Sequence, residues 1–150
     1  MNEISKVRDF TVGLFDAMDL VNTVTTVKTN DMDLNKENIY PIVNIDMTSD
    51  TIETDAVLVS YTISILQQRD VTNKKTDSKL LIDTNVIDNV NETQTIAAKF
   101  INYLRWQNNA LNIEIQSLGS LDSKQNFKGS GLDGFQFDIE LSIFNSGTSL

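Results

Sequence analysis

The chain predicts an α+β fold: a mostly antiparallel sheet of about five strands with two helices packed on one face. Three observations carry that expectation. Val57, Val59, Tyr61, Ile63 and Ile65 interleave with Leu58, Ser60, Thr62 and Ser64, and Phe135, Phe137, Ile139, Leu141 and Ile143 interleave with Gln136, Asp138, Glu140 and Ser142. A period of two sends alternate side chains to opposite faces, so each segment reads as a strand with one buried and one wet side. A long stretch of helical periodicity lies between them, and a shorter one opens the chain.

The elements follow in order. Ile4, Val7, Phe10, Leu14 and Met18 recur at three- and four-residue steps, predicting an amphipathic helix from about Glu3 to Leu20. Asn2 is placed to cap it, and Glu3 suits the positive end of the helix dipole. Val21 to Val27 is rich in β-branched residues and reads as a first strand. Lys28 to Asn38 has no apolar period and reads as a loop. Ile39, Val43, Ile45 and Met47 mark a second strand, with the single proline, Pro41, at its start or on an edge because it cannot donate to a ladder. Thr48 to Ala56 reads as a polar, acidic turn, and Val57 to about Gln68 as the third strand.

A basic loop from Arg69 to Lys79 and a short extended piece at Leu80 to Ile82 precede the second helix. That helix is expected from Asp83 or Thr84 to about Asn108, with its stripe on Val86, Val90, Thr93, Ala97, Phe100, Ile101 and Leu104. Ile113 and Ile115 start a fourth strand. Glycines at 119, 129, 131 and 134 mark a long connection before the fifth, Phe135 to Phe144. The order is α-β-β-β-α-β-β in a single domain spanning 1–150, with both helices on one face and residues 145–150 expected to form a flexible tail.

Composition narrows the chemistry. A chain of 150 residues can bury roughly 68–70% of the surface it exposes when unfolded, enough to fold without a metal or disulfide staple. It has no cysteine and no histidine, which removes disulfides, thiolate metal sites, cysteine nucleophiles and histidine-based triads. Ser-x-x-Lys and Gly-x-Ser-x-Gly patterns are absent as well. The net charge of −9 opposes general affinity for nucleic acid phosphates. No signal peptide is read at the N-terminus, and no run approaches the roughly 18 apolar residues of a membrane span. The Asn91-Glu92-Thr93 sequon falls inside the second predicted helix and receives no role.

Each local cluster has a bland reading. Asp31 to Glu37 echoes the start of a calcium loop, yet Lys36 stands where the sharp turn needs glycine, and the bidentate acid position falls on Ile42. Gly129-Ser130-Gly131 is followed by a strand rather than a helix, so it is no phosphate loop. Asp138 and Glu140 lie two apart on the outward side of the last strand, where neither need be desolvated for acid–base work; solubility or a subunit salt bridge suits them better. Arg69, Lys74, Lys75 and Lys79 share one loop, either solvated or aimed at a neighbouring copy's acidic surface or at passing DNA. Arg105 and Trp106 close the second helix, either finishing the core or anchoring a subunit contact, where Trp and Arg are enriched. No catalytic residue, metal or cofactor is expected.

A leading helix, three strands, a long helix and a closing strand pair, with Tyr40-Pro41-Ile42-Val43-Asn44-Ile45 opening the second strand, resembles the tail-terminator fold. That family includes head–tail joining and tail-completion proteins of tailed bacteriophages. The resemblance covers nearly the whole chain and is architectural. It implies a non-enzymatic virion protein, assembled in the host cytoplasm as a ring of six or twelve copies in the neck or at the upper end of a tail. Its implied partners are further copies of itself, adjacent neck, head-completion or tail-tube proteins and, transiently, DNA in the channel, with no membrane. Arg69, Lys74, Lys75, Lys79, Arg105, Trp106, Asp138 and Glu140 are the candidate contact residues. A tail-tube or collar subunit and a small monomeric ligand-binding module are the alternatives.

Overall fold

A computed structural model describes residues 2–32, 40–69, 84–106 and 109–146. In chain order the elements are α1 (Glu3–Asp16), β1 (Thr23–Thr25), β2 (Ile42–Ile52), β3 (Ala56–Gln68), α2 (Thr84–Trp106), β4 (Glu114–Leu118), β5 (Asp122–Lys124) and β6 (Leu132–Phe144). Two 3-10 turns lie at Thr29–Asp31 and Phe127–Gly129. The sheet runs β1-β2-β3-β6-β4, with β5 also on β6. All pairings are antiparallel except β1 with β2. This is the expected α+β order, with β5 as a sixth strand.

The two alternating segments form the spine. β3 and β6 pair along their full lengths, from Ala56 opposite Phe144 to Gln68 opposite Leu132. Their odd-numbered side chains from Val57 to Ile65 and from Phe135 to Ile143 are buried, and both helices cover that near face. Phe15 of α1 stacks on Phe100 of α2 at 4.4 Å between ring centroids, locking the helices to each other above the sheet. Replacing either ring with alanine is worth about 3–5 kcal/mol by the usual cost of a large core deletion.

The structure shortens or extends several expected elements, each for a local reason. Asn2 caps α1 by accepting the Ser5 N–H at 2.8 Å, as its position suggested. The helix stops at Asp16 rather than Leu20 because its end has no cation and carries Asp16 and Asp19, which oppose the negative end of the dipole. β1 is only Thr23–Thr25: beyond it, the Val27 N–H and C=O are taken by the Asn44 side chain and not by a strand. β2 continues to Ile52 through the stretch expected to turn. A bulge at Thr48, between Met47 and Ser49, shifts the parity there, and the following residues are wet on both faces, so no alternation marks them.

The glycine-rich connection is likewise more ordered than its composition suggests. Asp122–Lys124 pairs with β6 opposite Gln136 to Gly134. Gly134 belongs to β6, and a Cβ there would lie 1.8 Å from the Ile65 carbonyl oxygen, so the close approach of β3 admits no side chain. Of the expected tail, Asn145 donates its backbone N–H to Asp55 O and its side-chain amide to Glu53 O, and Ser146 donates to Glu3 Oε1 at 2.9 Å. Both residues are therefore held to the fold; residues 147–150, and the expected piece at 80–82, lie outside the described residues.

Candidate functional site

The far face of the sheet carries the features that distinguish this molecule. Its even-numbered positions were expected to be uniformly wet. They are not. At one end Ile42, Leu66 and Leu132 pack with Met32 and Phe127 into a second, smaller core, with Tyr40 beside it. The chain after β1 crosses this part of the face and is pinned there by two β2 side chains. Asn44 accepts from the Thr25 hydroxyl at 2.7 Å and brackets Val27. Asp46 accepts from the Thr29 N–H at 3.0 Å and its hydroxyl at 2.9 Å, and pairs with Lys28 at 3.2 Å. Lys128 donates to the Thr29 carbonyl and ties the 127–129 turn to the same strap.

The boundary of this cover runs along a single row of the sheet. Asp46, Thr62 and Asp138 stand side by side on β2, β3 and β6. Asp46 is buried under the strap, whereas Asp138 is exposed. From that row toward the β2–β3 hairpin the face is an open polar ladder. The Thr62 hydroxyl donates to Asp138 at 2.6 Å, the Ser60 hydroxyl to Glu140 at 3.3 Å, and Gln116 to the Ser142 hydroxyl oxygen at 2.8 Å. Ser60, Thr62, Asp138 and Glu140, with Thr48, Ser117 and Gly119, bound a groove of about 520 Å³.

The remaining candidate residues do not gather on this groove. Arg69 turns inward and forms an ion pair with Asp133 at 2.7 Å, so it anchors the fold and is not displayed with a basic loop. Lys74, Lys75 and Lys79 lie outside the described residues, as do residues 33–37 of the calcium-like run. Arg105 and Trp106 are neighbours that face different spaces. Arg105 lines a trough of about 600 Å³ between the end of α2 and β4. Trp106, 79% exposed, closes an apolar groove between α1 and α2 with Met18 and Tyr103. It does not finish the core.

Two buried carboxylates had no signal in the sequence. Burial by itself would raise the pKa of Asp133. The Arg69 guanidinium, the Asn126 N–H and the Asn89 amide outweigh it and hold the carboxyl below its ordinary value. Asp46 is the same case, with burial opposed by Thr29 and Lys28. Both are kept charged by the donors and cations beside them, the reverse of what a general acid needs. Burial also pushes the Tyr61 hydroxyl up, with the Asp50 charge adding to it, so that group stays protonated. Among the described residues no three acidic side chains converge as a metal site would require, and no helix is long and apolar enough to cross a membrane.

Comparison with family models and with curated proteins finds no match for the chain.

Proposed function

We propose that this chain is a structural subunit of a tailed bacteriophage, forming a closed ring in the neck or at the upper end of the tail that joins head to tail and caps the tube. The reading rests on the element order in a sheet backed on one face by helices. The observation that carries it furthest is the far face, where a wall of hydroxyl–carboxylate pairs around Asp138 and Glu140 is left uncovered beside a part the chain itself seals. Such a wall suits a surface offered to copies, to neighbouring rings or to a water-filled channel, and its work is binding alone.

Mass photometry and electron microscopy of the purified protein test the proposal. A closed ring of defined copy number is expected. An open helical polymer would instead indicate a tail-tube or collar subunit, since a head-to-tail contact that fails to close generates a filament. A monomer at every concentration, even with the adjoining virion proteins present, would leave the groove at Asp138 and Glu140 as a small-ligand site. A thermal-shift panel would then be the next measurement, because a ligand bound only by the native state raises its melting temperature.

A further inference from the structure

We infer that copies of this chain join edge to edge, the outer half of β2 in one copy pairing antiparallel with β4 of the next. The inference rests on the ring reading and names the surfaces that close it. Among the described residues β4 is the last strand at one edge of the sheet. At the other edge β1 pairs only with Ile42 to Asn44, so among the described residues no strand covers β2 from Thr48 to Ile52. An uncovered edge presents a row of backbone donors and acceptors ready to pair with another strand.

The two uncovered lengths stand at the same height. Thr51, Leu58, Ser142 and Glu114 form one row across the sheet; Asp50, Val59, Leu141 and Ile115 form the next; Ser49, Ser60, Glu140 and Ser117 form the third. Strand directions alternate from β2 through β3 and β6 to β4. Turning one copy about an axis along the strands therefore sets β4 beside the next copy's β2 with the antiparallel order unbroken and no shift in level. Both edges carry a bulge at this level, Thr48 on β2 and Gln116 on β4. Bulges bend their strands, and a sheet that must close on itself needs bending there.

Side chains agree with the backbone. On the helix side of the sheet, the row that holds Ile115 in one copy would receive Asp50 from the next, and Ile52 would fall two rows further on, level with Val57 and Ile143. That side opens on the trough between β4 and α2, which Arg105 lines and Leu104 and Ile113 floor. Ile52 is 71% exposed in the single chain. Among the described residues neither Asp50 nor Arg105 has an ion-pair partner. Docking thus gives Ile52 an apolar floor, and Asp50 a guanidinium.

Because the chain has no cysteine, paired substitutions read the contact directly. The double variant Ser49→Cys with Ser117→Cys should give a ladder of disulfide-linked oligomers on oxidation, and neither single variant should cross-link. Asp50→Arg or Arg105→Asp alone should weaken association about tenfold or more, and the double reversal should restore it. Unchanged melting temperatures confirm that the variants fold. Cross-linking of Ser117→Cys alone would show an edge meeting its own copy and overturn the inference. So would a wild type that forms rings while the double-cysteine variant never cross-links and both charge reversals leave association unchanged, although the ring reading would survive. A wild-type chain that stays monomeric overturns both.

Discussion

Asp46 and Asp138 lie in one row on one face of the sheet, separated only by Thr62, yet the first is sealed and the second is open. Nothing in the two strands accounts for the contrast. The cover comes from the segment around Thr25–Thr29, which Asn44 and Asp46 draw down across β2 and which leaves Asp138 exposed. A carboxylate's role here is set by what the rest of the chain lays over it, and the uncovered side of the row remains free for something outside the chain. The covered side is a matter of stability, the open side is the proposed contact surface, and the two can be perturbed separately.

The harshest way to break the covered side is Gly134→Ala. The added methyl would collide with the Ile65 backbone, and a loss of about 3 kcal/mol or more is expected in urea unfolding. A midpoint equal to wild type would mean that β3 and β6 do not approach so closely. Next in size is Asp46→Asn, which weakens the strap and should cost about 1–3 kcal/mol. Its row-mate Asp138→Asn should stay within about 0.5 kcal/mol of wild type. Equal losses from the two would erase the distinction between the sides.

Acid sharpens the comparison further. Asp46 and Asp133 sit below the ordinary 3.8 when folded, so the unfolded chain binds protons first as the pH falls. Their contribution is whole above the unfolded value and disappears as the pH drops through the folded one. Thermal scans should therefore show stability declining below about pH 4, the range in which an unfolded carboxylate takes up its proton. Asp46→Asn and Asp133→Asn should each flatten that decline. The smallest effect on the fold should come from Asp138→Asn combined with Glu140→Gln, which leaves the melting temperature nearly fixed while changing the size distribution in mass photometry. A lost enzymatic activity in that variant would reverse the proposed role of the open side.

The sequence exposed the part of the design that repeats. Period two on β3 and β6 and period 3.6 on α1 and α2 defined the layers and the near-face core, because burial on one side alone leaves an alternating record. What it hid was every contact made by a polar residue at a distance. Asn44, Asp46 and Asp133 look like any hydrophilic residue at a wet strand position, and their burial depends on Thr25, Thr29 and Arg69, which are far away in sequence. Arg69 looked like one of a basic cluster for the same reason. The outer half of β2 was invisible for the opposite cause: solvated on both faces, Ser49 to Thr51 leave no period to detect. Trp106 and Arg105 were recognisable as contact candidates, but adjacency in sequence gave no hint that they face separate spaces.

The Asp133 cluster has one more consequence. Asn89, five residues into α2, donates to the Gln68 carbonyl at 3.1 Å and also reaches Asp133, which grips Arg69. The last residues of β3 and the first turns of α2 are thereby clasped together. One carboxylate thus holds a strand end and a helix start at once, and losing it would loosen both together.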